Sequence, residues 1–303
     1  MEGALTRPER ARKKTLRLSY MAYGKEGNPA VFLLMGLGMP GAAWPQPIVA
    51  ALAEAGLRVI VPDNRDSGES PRCPEAGAGA MQVLEAALAA FAGKRVTAGY
   101  SVADMALDTL ALADELGIGR FHAVGFSMGG MIAQELALAA PGRIASLGLF
   151  STASGSIATG MGRLDVLVRL WLRPAPGKGS AEDYARHLLT MLAGPKYPPS
   201  KEYIRESAAL RPLMSDRRAV YRQMLAILAA GDRTPRLGAV RARTLVVHGL
   251  ADRLLPFRAG RELAERIPGA RLVPVEGLGH QLPPELWDSH ARLIAAHCLK
   301  GEA

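Results

Sequence analysis

A chain of 303 residues, 49% hydrophobic and 21% charged, describes a soluble globular protein long enough to bury a large core. The formal net charge of +9 invites a nucleic-acid or membrane-surface role, but the excess is mostly Arg spread along the chain. It clusters only at Arg7, Arg10, Arg12, Lys13 and Lys14 and at Arg217–Arg218, with no zinc-finger or RNP signature, so it reads as a solvated basic surface.

No apolar run approaches the roughly 18 residues of a membrane span, and no apolar segment of signal-peptide type follows the basic start. The two cysteines, Cys73 and Cys298, make no disulfide framework and neither sits at metal-ligand spacing. The expectation is a cytoplasmic protein with reduced thiols, no nucleic-acid partner and no membrane span.

In chain order, "KTLRLSYMAYG" alternates as an antiparallel edge hairpin does. "AVFLLMG" reads as a buried strand, and the residues after it, Gly36, Gly38 and Gly41, spell the G-x-G-x-x-G of a dinucleotide loop, with Asp63 closing "RVIVPD" about twenty residues on. A pyrophosphate, however, sits on a helix that begins inside such a loop. Pro40, Pro45 and Pro47 fall where that helix would run, and an interior proline costs about 3 kcal/mol, so an irregular loop and a helix starting near Pro47 are expected instead. After the strand "LRVIVPD" and the turn "DNRDSGESP", the Ala-rich "EAGAGAMQVLEAALAAFAGKRVTAGYS" predicts a short helix near the carboxyl edge of the sheet, and "VADMALDTLALADELG" a second helix.

The next stretch, "HAVGFSMGGMIAQ", sets Ser127 among Gly125, Gly129 and Gly130. G-x-S-x-G alone is weak, because glycine is common in this chain. Its context is stronger: "RFHAVGF" reads as a buried strand and "MGGMIAQELALAA" as a helix ending at Pro141-Gly142, the strand, tight turn and helix that hold a serine hydroxyl out above a sheet.

"IASLGLFS" follows as a strand. From about Ser154 to Gly238 the pattern is helical, with Pro and Gly at "RPAPGKGS" and "GPKYPPS", too long for an ordinary connection. Strand patterns return at "ARTLVVHG" and "ARLVPVEG", with the helix "RAGRELAERIPG" between them. Strands too apolar to be half-exposed, alternating with helices, predict an α/β fold with a mainly parallel sheet covered on both faces. The domains are a core of residues 1–153 and 239–303 and an inserted helical cap of residues 154–238.

A serine hydroxyl needs a base to take its proton and a carboxylate to hold the tautomer of that base. Among six histidines, His280 lies in the glycine-bearing loop "VEGLGHQLPPELW" just past the last strand, where open α/β sheets carry function. His122 and His248 fall in strands, and His187, His290 and His297 in helical patterns, so these read as structural. The acid expected at another strand end is Asp252 in "TLVVHGLADRLLPF"; its alternative reading is a helix cap or turn residue, and Glu276 is the rival acid.

The order Ser, Asp, His with "GFSMGG", "HGLADRLLP" and "GLGH" resembles the α/β-hydrolase superfamily over nearly the whole chain. "LLMGLGMPGAAWP", "VIVPDNRDSGES" and "GYSVADMALDTLALADELGI" look most like the bacterial group that includes aclacinomycin methylesterase. The resemblance implies the α/β-hydrolase fold and a Ser127–His280–Asp252 triad, with the backbone amides of Leu37 and Met128 as oxyanion hole. It also sets aside Asp63 and Asp66, which precede the serine. Where the family often has His-Gly in the loop after its third strand, Met35 stands here.

The activity implied is hydrolysis of a small-molecule carboxylic ester, with no cofactor and no metal. A lactonase or natural-product methyl esterase is the alternative, and a homodimer is left open. "MGRLDVLVRLWL" lines up Met161, Leu164, Leu167, Val168 and Trp171 on one helical face. Such a stripe serves core packing more often than ligands; if it faces the cleft, Leu167 and Trp171 form an apolar acyl or ring pocket.

Overall fold

The computed structural model describes residues 15–163, 165–166 and 180–300. Seven strands form one sheet: β1 (Tyr20–Tyr23), β2 (Ala30–Leu34), β3 (Arg58–Pro62), β4 (Phe121–Phe126), β5 (Ile144–Phe150), β6 (Arg243–Gly249) and β7 (Arg271–Val275), in the order β1-β3-β2-β4-β5-β6-β7. From β3 to β7 every neighbouring pair is parallel. The unbroken apolar run of β2, buried at every residue, follows from that: helices cover both faces, so neither side of the strand meets water.

Alternate residues of β2 serve opposite layers. Phe32 and Leu34 join α3 (Val102–Glu115), α4 (Met128–Ala139) and α10 (Phe257–Arg266) in one core cluster. Val31 and Leu33 join α1 (Gln46–Glu54) and α11 (Trp287–Leu299) in the other. Cys73 is buried in the first cluster and Cys298 in the second, and no disulfide links them.

The expected N-terminal hairpin is corrected. β1 is an antiparallel edge strand, but it pairs with β3, Tyr20 opposite Pro62 through Tyr23 opposite Val59. The strand next to it in sequence, β2, has both edges filled by β3 and β4, so no edge remains for a hairpin. The loop after β2 opens no long helix. It makes one 3-10 turn, Gly41–Ala43, before α1 begins with proline in its first turn.

The Ala-rich stretch forms α2 (Ala80–Phe91). Between β5 and β6 the described residues contain helices and no strand: α5 (Ile157–Gly160), α6 (Ala181–Leu192), α7 (Lys201–Ala209), α8 (Arg217–Ala230) and α9 (Thr234–Leu237). Ala185 of α6 packs with Ile204 and Ala208 of α7 in a small core of their own. α8 is bound more deeply: Tyr221 and Leu225 pack on Val83 and Ala86 of α2, and Ala226, with Leu237 of α9, enters the core on the α3 and α4 side of the sheet. Leu167 and Trp171, with most of the apolar stripe read as core packing or as a pocket wall, lie outside the described residues.

Candidate active site

β4 ends at Phe126 and α4 begins at Met128, leaving Ser127 alone to turn the chain. Its φ of 57° and ψ of −120° are strained for a residue with a side chain, and the neighbours hold it there. Ser127 N–H donates to Phe150 C=O at 2.9 Å, and Thr152 Oγ donates to Ser127 C=O at 2.7 Å.

The flanking glycines answer to close approach. A Cβ added to Gly125 would lie 2.2 Å from the Gly129 carbonyl carbon, one on Gly129 would lie 2.0 Å from Leu34 C=O, and one on Gly130 would lie 2.6 Å from Thr152 Cγ2. The strand and the helix therefore touch backbone to backbone beneath the serine.

His280 and Asp252 come to the same sheet edge from the loops after β7 and β6. His280 Nε2 stands 2.9 Å from Ser127 Oγ, and its Nδ1 stands 2.7 Å from Asp252 Oδ2. With the carboxylate accepting, Nδ1 carries the proton and Nε2 is left to accept. The other carboxylate oxygen accepts the N–H groups of Leu254 at 2.9 Å and Leu255 at 2.8 Å, which sets the plane of the acid. Asp252 and His280 are each 5% exposed, so water competes little for these bonds. His280 N–H is held by Leu192 C=O, the last residue of α6, at 2.8 Å, and Phe126 lies 5.1 Å from the imidazole between ring centroids.

The amides of Leu37 and Met128 flank this group. Met128 N–H is the first of α4, with no partner inside the helix, and neither amide is bonded to another group among the described residues. The loop carrying Leu37 passes directly over the serine: a Cβ on Gly36 would lie 3.2 Å from Ser127 Cβ. Of the triplet Gly36, Gly38 and Gly41, the first thus lies against Ser127 and the last against Pro62 and Val61 of β3, and the loop opens no helix for a pyrophosphate.

Above Ser127 and His280 lies a pocket of about 160 Å³, walled mainly by apolar side chains. Leu188 and Leu192 come from α6 and Val220 and Met224 from α8, while Tyr184, Arg217 and Gln281 add polar groups. Sequence reasoning missed this wall. Tyr184, Leu188 and Leu192 do recur at every fourth residue of α6, a legible stripe, but no residue type there marks chemistry.

The remaining expected residues lie elsewhere. His122 contacts Ser146 Oγ at 2.9 Å, and His297 contacts the carbonyls of Leu147 and Arg243. His290 is buried edge-on to Phe150. Burial lowers the imidazoles of His122, His290 and His297 to about 4. His248, also lowered by burial, holds its Nε2 at 2.7 Å from Leu255 C=O and 3.8 Å from Asp252.

Asp63 accepts from Gly41 N–H and Glu69 N–H. Asp66 forms a buried ion pair with Arg222 of α8 and accepts from Tyr100 Oη at 2.7 Å. Burial alone would raise the Asp66 carboxyl; Arg222, the Cys73 amide and Tyr100 together hold it below its ordinary value. Among the described residues no group of His, Cys, Asp and Glu could hold a metal ion, and no helix is long and apolar enough to cross a membrane.

The same architecture recurs in known proteins. Residues 29–284 match the family model described as alpha/beta hydrolase fold. The chain is 32% identical over 282 residues to "Putative carbamate hydrolase RutD" of Variovorax paradoxus, covering 88% of this chain and 90% of that protein. It is 27% identical to rhodomycin D methylesterase DnrP of Streptomyces peucetius, covering 89% and 92%. Among solved structures, the enol-lactonase from Burkholderia xenovorans LB400 superposes with a TM-score of 0.67 at 25% identity, over 92% of this chain and 95% of that one. With a strand, tight turn and helix around Ser127 and a family match over most of its length, the chain belongs to the α/β-hydrolase fold family.

Proposed function

We propose that this chain is a serine hydrolase that cleaves small-molecule carboxylic esters through an acyl-enzyme. One observation carries the reading: the unbroken hydrogen-bonded line from Ser127 Oγ through His280 to Asp252 at the floor of an apolar pocket. Ser127 Oγ attacks the ester carbonyl while His280 Nε2 takes its proton, and Asp252 stabilises the imidazolium through Nδ1–H. The negative charge on the carbonyl oxygen is met by the amides of Leu37 and Met128. Collapse of the tetrahedral intermediate breaks the bond to the alcohol, which leaves with the proton from Nε2. Water, deprotonated by the same nitrogen, then attacks the acyl group and releases the acid and the free serine.

Residues 154–238 act as the cap that sets substrate choice, because α6 and α8 supply the apolar wall over the serine. That wall favours an uncharged acyl chain or ring. A lactone or natural-product methyl ester is the second reading, supported by the similarity to a methylesterase and an enol-lactonase, since both reactions pass through the same acyl-enzyme. The chemistry calls for no cofactor, and the protein is assigned to the cytoplasm.

The test is hydrolysis of p-nitrophenyl esters from acetyl to palmitoyl, combined with a serine-reactive phosphonate and peptide mapping. Wild-type protein is expected to be labelled at Ser127, and Ser127→Ala to lose kcat by about 10⁶-fold while keeping its melting temperature. Near-wild-type turnover by Ser127→Ala overturns the reading.

A further inference from the structure

The residue after Leu37 is gripped on both sides by the helical insertion. Gly38 N–H donates to Gln223 Oε1 at 2.7 Å, and Gly38 C=O accepts from Ser215 N–H at 3.1 Å. Gln223 belongs to α8 and is fully buried. Its amide has one permitted orientation, because Nε2 donates to Arg65 C=O at 2.8 Å and to Ser67 Oγ at 2.9 Å; a flipped amide would set N–H against N–H at Gly38.

The network continues from Ser67 Oγ to Ser215 Oγ at 3.1 Å and from Ser215 Oγ to Asp66 C=O at 2.6 Å. The loop after β2, the loop after β3 and the start of α8 thus close one ring of hydrogen bonds around Gly38. Gly38 itself sits at a φ of 70°, with Val220 Cγ2 3.0 Å from where a Cβ would be, so nothing larger enters the ring.

We propose that Gln223 is a positioning residue for the oxyanion donor, holding the Leu37 amide over Ser127 by accepting the N–H of Gly38. Only the two backbone dihedrals of Leu37 separate the two amides, so holding one narrows the orientations open to the other. The same bond occupies the Gly38 amide and leaves Leu37 N–H as the donor this loop offers. An oxyanion donor works because it is oriented before charge develops, and a displacement of about 1 Å in an active site can cost about 10²-fold in rate. Since the acceptor sits on the insertion, assembly of the donor depends on α8 being docked, which ties the cap to the chemistry. This inference rests on the reading of Ser127 as nucleophile.

The experiment compares Gln223→Met, close in shape but unable to accept well, with Gln223→Glu, which retains an acceptor for Gly38. Three readouts are kcat and KM on p-nitrophenyl butyrate, inhibition by an alkyl trifluoromethyl ketone, whose serine adduct carries an oxyanion, and inhibition by the matching secondary alcohol, which carries none. Gln223→Met is expected to lower kcat by about 10- to 100-fold with KM within about twofold, to weaken the ketone in parallel, and to leave the alcohol unchanged. Gln223→Glu is expected to recover at least tenfold of that loss. Should the methionine variant fail to fold, Gln223→Ala gives the same reading, because the vacated polar space can take water.

Unchanged kcat in a folded Gln223→Met or Gln223→Ala overturns the proposal. So does equal weakening of ketone and alcohol, or a glutamate variant as inactive as the methionine one. A Ser127→Ala protein that stays active removes the underlying reading. Inactive Ser127→Ala beside fully active Gln223→Met removes this inference alone.

Discussion

The floor and the roof of the pocket are held by different forces. On the floor, Ser127 is fixed by Phe150 and Thr152, Asp252 by the amides of Leu254 and Leu255, and His280 by Leu192, each through directional hydrogen bonds of 2.7 to 2.9 Å. The roof meets the same space through the apolar side chains of Leu188, Leu192, Val220 and Met224, which touch it by packing, while α8 beneath them is tied down by the Arg222–Asp66 pair and by Gln223. Hydrogen bonds fix an atom to tenths of an ångström, as proton transfer needs, while apolar contacts tolerate exchange of similar volumes. The difference teaches where to look for each property: changes in the floor should alter rate, and changes in the roof should alter preference.

The sharpest test of the floor is Asp252→Asn. The substitution keeps the shape but favours the wrong imidazole tautomer, so kcat should fall by about 10⁴-fold with little change in melting temperature. Steady-state kinetics beside a thermal scan check it, and a loss below tenfold would return the floor to ordinary packing. Next in size is the joint between the two regions. Asp66→Ala leaves Arg222 buried without its carboxylate and should cost about 3–5 kcal/mol in urea unfolding, loosening α8 from the sheet.

The roof is expected to respond more gently. Leu188→Ala should change the ratio of kcat/KM for hexanoyl over acetyl esters by about tenfold, the scale of a few methylenes in an apolar pocket, with kcat on the better substrate nearly kept. An unchanged ratio with lowered stability would make Leu188 a packing residue.

A further effect lies away from the pocket. His122, His290 and His297 are lowered to about 4 by burial, so the folded state favours their neutral forms. Their contribution to stability is fully present above the unfolded value near 6.5 and is lost as pH falls towards 4. His290→Leu should flatten the fall of melting temperature across that window, since neither of its ring nitrogens finds a partner among the described residues. An unchanged slope would exclude His290 as a source.

Much of the floor was legible because its determinants are local. The apolar strand runs, the glycines beside Ser127 and the glycine loop of His280 each sit within a dozen residues, and the structure brings Ser127, His280 and Asp252 within hydrogen-bond reach. The hairpin expected at β1 gives way to pairing with β3 because strand patterns report burial and alternation, not which edge is vacant. Asp66 was weighed only as an acid for the serine and set aside; its partner Arg222, 156 positions away, leaves no mark in local pattern.

The sequence alone, then, carries the parallel sheet, the tight turn at Ser127 and the helices described between β5 and β6, because hydrophobic period, glycine and proline act over a few residues. Tertiary structure alone decided which faces of α6 and α8 look into the pocket, and that Gln223 meets the Gly38 amide across 185 positions. A helix has several faces and a glutamine side chain four hydrogen-bonding sites, and only the docking of α8 against two loops selects among them.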